Sequence, residues 1–245
     1  MHRPTPVPPT VVLVHGAFTD ASSWSEVIGP LRAAGLTVHA PANPLRGLAQ
    51  DAACVRSLLR ELGTPVVLVG HGYGGAVITQ AADDSDQVVA LCYAAAFGLD
   101  AGECVLDITD RFAPSPLADA TVTTTLPSGA DSEVSIRPER FRPLYADDLS
   151  PAAGQALAAA QRPIARGALT DRSGSPAWAD KPSWYAIATA DRMLNPAAQR
   201  FMAQRMAATE YVLDASHALP LSRPDAVAAM IREATGHALG TPGGV

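Results

Sequence analysis

The sequence is short of several features that would direct a functional reading elsewhere. No apolar run approaches the ~20 residues needed to span a bilayer. The proline-rich lead from Met1 to Pro9 carries no apolar signal core, so a cytoplasmic protein is expected. Cysteine is scarce. Cys54, Cys92 and Cys104 stand apart with no C-x-x-C pair, which argues against a disulfide framework and a thiolate metal site. Cys54 and Cys92 sit in apolar stretches and read as small core residues; Cys104 falls in a less regular segment. No G-x-x-x-x-G-K-[ST] phosphate loop occurs, and neither a nucleotide cofactor nor a metal is expected. Basic residues are outnumbered, 18 Lys and Arg against 24 Asp and Glu, for a net charge of −6. That balance argues against nucleic acid and anionic membranes as partners and leaves a small molecule.

What is present is an alternation of strand and helix patterns. Thr10 to Val14 reads as a strand, and Ser22 to Ala34 as a helix with Ser22 or Ser23 as its N-cap and Gly35 at its stop. A second strand is expected over Leu36–Pro41. Leu48, Ala52, Val55, Leu58, Leu59 and Leu62 share one helical face, and Gly63 ends that helix. Val66 to Val69 and Val88 to Tyr93 are further strands, separated by a helix over Ala76–Ala82. This is the pattern of a mostly parallel sheet with helices on both faces, an α/β fold. It breaks from about 98 to 180. There, strands over Thr121–Leu126 and Glu133–Ile136 and helices over Pro138–Leu149 and Pro151–Gln161 are expected as a cap inserted into one domain, 1–245. The alternation then resumes: a strand over Ser183–Thr189, a helix over Pro196–Met206, a strand over Tyr211–Asp214, and a closing helix over Pro224–Ala234 with Ser222 as its N-cap. Gly236 to Val245 reads as a frayed tail.

The most informative stretch is Gly70-His71-Gly72-Tyr73-Gly74-Gly75. A buried strand precedes it and a helix follows, the context of a nucleophile elbow, G-x-S-x-G. The flanking glycines are there, but the central position is Gly72, which has no side chain to form an acyl-enzyme. Asp191 falls just past one strand and His217 just past the next, so the chain order is elbow, acid, base. Asp191 would orient the His217 ring and leave its other nitrogen facing the elbow. Ala17 or Phe18, in the His15-Gly16-Ala17-Phe18 turn, and Tyr73 would offer backbone N–H groups as an oxyanion hole. Trp24 is the best candidate among the aromatics for a substrate contact; Phe97, Phe112, Phe141, Trp178, Trp184 and Tyr185 are others. His15, His39 and His71 read as structural, Asp214 as a runner-up acid, and Asp180 and Asp171 as weaker ones. Arg46 could bind a carboxylate but reads rather as a solvated loop residue.

On these residues, from Thr10 to Ala234, the chain resembles the α/β-hydrolase superfamily, and within it the small esterase and hydroxynitrile-lyase group. The resemblance implies that fold and a catalytic set of Asp191, His217 and the backbone donors. Gly72 departs from the pattern. The expected function is an enzyme acting on a small apolar or aromatic ester, lactone or related carbonyl compound, with a His217–Asp191 dyad and the nucleophile position vacated. Lyase, isomerase or cyclase chemistry is open to the same dyad. Two alternatives stand beside it: a serine esterase inactivated by glycine at position 72, and a non-catalytic ligand-binding module.

Overall fold

The computed structural model describes residues 8–126 and 131–240. Most of the proline-rich lead and the last five residues of the tail (241–245) lie outside the described residues. The chain runs through β1 (Thr10–Val14), a 3-10 turn (Ala21–Trp24), α1 (Ser25–Ala33), β2 (Val38–His39), α2 (Leu48–Leu62), β3 (Val66–His71), α3 (Tyr73–Ala81) and β4 (Val88–Ala94). It then leaves the sheet for α4 (Val105–Asp110), β5 (Thr121–Thr125), β6 (Ser132–Ile136), α5 (Pro138–Tyr145), α6 (Pro151–Ala160), β7 (Ile164–Ala165) and α7 (Arg166–Thr170). It returns with β8 (Ser183–Ala188), α8 (Pro196–Arg205), β9 (Thr209–Leu213), α9 (Leu219–Ser222) and α10 (Pro224–Ala238).

The main sheet has the order β2-β1-β3-β4-β8-β9, with every pairing parallel. Its central strands are buried on both faces, which is why they read as continuous apolar runs. The period of two splits them cleanly. Val12, Val14, Leu68, Leu91 and Tyr185 face α2, α3 and the cap side. Val11, Leu13, Val69, Cys92 and Trp184 face α1 and α10. β5, β6 and β7 form a separate antiparallel sheet. It is tied to the core where the Ala165 N–H donates to the Leu45 carbonyl (2.9 Å) and where Arg46 pairs with Glu133. Arg46 is therefore not a solvated loop residue: its guanidinium also donates to the Pro163 carbonyl (3.0 Å).

Several boundaries differ from the sequence reading for local reasons. Neither Ser22 nor Ser23 caps the first helix. Asp20 accepts from the Ser22 N–H (2.8 Å) and starts a 3-10 turn that runs into α1. β2 keeps only two residues, on the sheet edge. The helix beginning at Pro138 stops at Tyr145, and Arg142 folds back to donate to the Leu149 and Asp147 carbonyls. Ser222 ends α9 rather than capping α10, and α10 continues through Gly236 to Ala238. Cys54 is exposed on α2, not a core residue. Gly63 ends α2 as expected, with φ +60°.

α3 can enter the sheet because three glycines remove side chains at the crossing. A Cβ on Gly74 would lie 2.3 Å from the Val14 carbonyl oxygen, and one on Gly70 would lie 2.6 Å from the Gly74 and Gly75 backbone. Backbone cannot give way as a flexible side chain can. Gly74→Ala should therefore cost about 3 kcal/mol or more. Gly167→Ala, at a helical position on α7 with nothing within 4 Å, should stabilise by about 0.5–1 kcal/mol. Urea midpoints of the two variants check both signs.

Candidate active site

Gly72 lies between β3 and α3 with φ +53° and ψ −123°, a conformation that costs a side-chain-bearing residue but not glycine. Its carbonyl accepts from the Gly75 N–H (3.1 Å) and the Phe97 N–H (2.9 Å), so the turn is held from α3 and from the exit of β4. Asp191 and His217 follow β8 and β9, at the carboxyl ends of the parallel strands, where open α/β sheets place their sites. His217 Nδ1 lies 2.7 Å from Asp191 Oδ2. Met193 and Leu194 N–H groups donate to Oδ1 (2.7 and 2.9 Å). The buried carboxylate can only accept in this setting, so Nδ1 is the donor and Nε2 the free acceptor. Nε2 lies 3.1 Å from the point a Cβ on Gly72 would occupy.

The loop that carries His217 is held from three sides. His71 Nε2 donates to the His217 carbonyl (2.8 Å), and the two rings lie 4.7 Å apart. From the cap, the Tyr145 ring meets His217 edge-on at 4.9 Å, and the Tyr145 carbonyl accepts from the Ala218 N–H (2.8 Å). Asp148 accepts from the Ser216 N–H (2.9 Å) and from its hydroxyl. Burial works against the Asp148 charge, yet the Ser216 bonds hold its carboxyl below its usual range. Burial, reinforced by the neighbouring His217, pushes His71 well below its usual pKa. His15 is likewise lowered by burial; its ring is fixed by the Asn43 N–H (2.9 Å) and the Gly16 carbonyl (2.9 Å). Both are the structural histidines the sequence suggested.

A cavity of about 450 Å³ opens above Gly72 and His217. Ala17, Phe18 and Tyr73 border it, and no acceptor is found for the Phe18 or Tyr73 N–H among the described residues. Its walls are mainly apolar, with Phe97, Val105, Phe112, Leu117, Val134 and Leu169 from β4's exit and the cap. Asp110 and Arg166 are the charged residues at its edge. Trp24 is not part of it. That ring is fully buried on the opposite face of the sheet and packs edge-on against His71 at 6.1 Å. Phe141 stacks on Tyr145 (5.0 Å), Trp178 donates to the Leu99 carbonyl (2.9 Å), and Trp184 and Tyr185 are β8 core. Asp214 and Asp180 are exposed, and Asp171 caps α2 through the Leu48 N–H (2.9 Å).

A family model for alpha/beta hydrolases matches residues 11–230, in keeping with this sheet order, the glycine-framed turn, and Asp191 and His217 after successive strands. The chain belongs to the alpha/beta hydrolase family. Among solved members of this fold, a pyrethroid hydrolase from Sphingobium faniae aligns with TM-score 0.77 at 23% identity, over 93% of this chain and 97% of that one. Polyneuridine aldehyde esterase aligns with TM-score 0.81 at 16% identity, over 93% and 99%. A methylesterase from Arabidopsis aligns with TM-score 0.78 at 22% identity, over 94% and 99%. A search of curated proteins found no matching sequence. Gly72 stands at the turn between β3 and α3 with no side chain facing His217. The run Gly70 to Gly75 also satisfies the dinucleotide spacing G-x-G-x-x-G. The chain after β4 reads Ala94-Ala-Ala-Phe97, with no acid for a ribose, and an apolar cavity lies above the turn.

Sequence reasoning found Gly72, Asp191 and His217 but missed Gln199, whose Nε2 donates to Asp191 Oδ2 (2.8 Å). It also missed Asp51, the buried acid that accepts from the Tyr73 hydroxyl (2.9 Å), its carboxyl pushed up by burial. The two buried histidines set a pH dependence. Their folded pKa values lie below the usual 6.5. Below about pH 6.5 the unfolded chain takes up protons that the folded chain refuses, so stability is lost as pH falls. The limiting slope is about 1.4 kcal/mol per pH unit for each histidine. Urea midpoints should fall steadily between pH 6.5 and 5; a flat profile would contradict the account.

Proposed function

We propose that this alpha/beta hydrolase acts on a small apolar or aromatic ester, lactone or related carbonyl compound, with His217 as general base and no seryl nucleophile. The observation that carries this is His217 Nε2, unpartnered among the described residues, opening onto an apolar cavity 3.1 Å from the unused Cβ position of Gly72. A water held there would lose its proton to Nε2 as it attacks the substrate carbonyl. The Phe18 and Tyr73 N–H groups would receive the developing oxyanion, and Asp191 would stabilise the imidazolium. General-base catalysis supplies about 10²–10⁴-fold and each oxyanion donor about 10²–10³-fold. That serves an activated carbonyl well and an unactivated ester poorly, since loss of a nucleophilic serine has cost about 10⁶-fold in a protease. The esterase neighbours support the substrate class by likeness of fold. The same base could instead take a proton from an activated carbon, with the oxyanion held as an enolate.

The elbow keeps the positive φ that a serine would need, and this observation favours a second reading, an esterase that lacks only its hydroxyl. Comparison with Gly72→Ser separates the two. On activated aryl esters, the protein should show slow hydrolysis that His217→Gln abolishes, with no covalent labelling by a fluorophosphonate. Gly72→Ser should label and hydrolyse faster, while losing about 1–3 kcal/mol of stability to the strained backbone. If the parent is inert and Gly72→Ser is active, the second reading stands. If both are inert, the hydrolytic reading fails, and proton abstraction from carbon or ligand binding takes its place.

A further inference from the structure

We infer that Gln199 is a positioning residue for the dyad, fixing Asp191 as a pure acceptor and thereby the tautomer of His217. The inference rests on the dyad reading above. Gln199, in the first turn of α8, is fully buried. Its Oε1 accepts from the Ala188 N–H (2.9 Å) at the end of β8. Its Nε2 donates both to Asp191 Oδ2 (2.8 Å) and to the Leu194 carbonyl (2.9 Å). These bonds forbid the flipped amide, which would set its oxygen against a carboxylate and a carbonyl and its NH2 against an N–H. The orientation of the donor is thus set by backbone atoms at both ends.

Asp191 then meets four donors: two backbone N–H groups on Oδ1, and Gln199 with His217 on Oδ2. A proton on either carboxyl oxygen would have to displace one of them. The shared proton stays on His217 Nδ1, and Nε2 stays free toward Gly72. A neutral amide is suited to this task. A lysine or arginine there would neutralise Asp191 and weaken its hold on an imidazolium. The bonds are not needed to begin α8, because Asn195 caps that helix through the Ala197 N–H (2.9 Å). A buried glutamine also risks an unsatisfied polar group that an apolar residue would avoid. The polar choice is explained by the carboxylate it serves.

The test uses Gln199→Leu and Gln199→Met, both of which remove the donor, methionine keeping the length of the side chain. Long-range proton–nitrogen NMR of the His217 ring, assigned with His217→Gln, reads the tautomer directly. The parent should hold the Nδ1–H form, and both variants should show mixed tautomers with melting curves that remain cooperative. In a Gly72→Ser background, both should also slow fluorophosphonate labelling about 10–100-fold, the range for partners that orient a metal-bound histidine. An unchanged tautomer in a folded variant, or a parent ring not in the Nδ1–H form, overturns the proposal. Should Gln199→Leu not fold, Gln199→Met decides alone. If Gly72→Ser does not label, the esterase reading is what fails, and the tautomer still decides the role of Gln199.

Discussion

The structure depends on a close approach of backbone to backbone. β1, β3, α3 and the exit of β4 meet at one point, and every chain there passes within reach of another only because side chains are missing. A Cβ on Gly16 would lie 2.8 Å from the His71 carbonyl, and one on Gly75 would lie 2.6 Å from that of Phe97. With those contacts, the Gly72 carbonyl is fixed by α3 and by the chain after β4. The floor of the cavity is therefore set by main-chain packing, which is stiff and insensitive to which apolar side chains line the walls.

Onto this floor the chain adds a buried polar network. Asp191, Gln199, His217, His71 and Ser216 are all at most 6% exposed, a setting in which an unmatched donor or acceptor is costly. Each strand of the network arrives from a different element: β8 and α8 give the acid and its amide, β3 gives His71, and α5 with the turn after it gives Tyr145 and Asp148. His217 is thus held in common by the sheet and by the cap. A shift of the cap that moved Tyr145 or Asp148 would be felt at His217, because their bonds run to its two neighbours in sequence, Ser216 and Ala218.

Much of this was legible in the residues. Strand alternation, the glycine run and the order Gly72, Asp191, His217 follow from local pattern, and the structure brings those three positions together above the sheet. The partners of that set were not legible, because their roles arise from contacts between distant parts of the chain. Gln199 looks like any polar residue in a helix; only the end of β8 and the turn after it give it a task. Asp148 and His71 act through atoms about 70 to 150 residues away in sequence. Trp24 misled for the same reason. It follows the His15 turn closely in sequence, yet the turn through Asp20 carries its ring to the opposite face of the sheet. Cap boundaries depended on side-chain folding such as that of Arg142, which propensity does not encode.

The positive φ at position 72 has a consequence for how such a chain can change. In a hydrolase with serine there, catalysis holds a strained residue in place against its own conformational preference. Glycine relieves that strain and leaves the surrounding contacts standing. The exchange is then asymmetric: losing the hydroxyl gains stability, and regaining it gives stability up. Selection for folding alone would push this position in one direction, while the acid, the base and their supports keep their places. Such a turn can carry glycine or a side chain at its apex while the buried network beside it stays as it is.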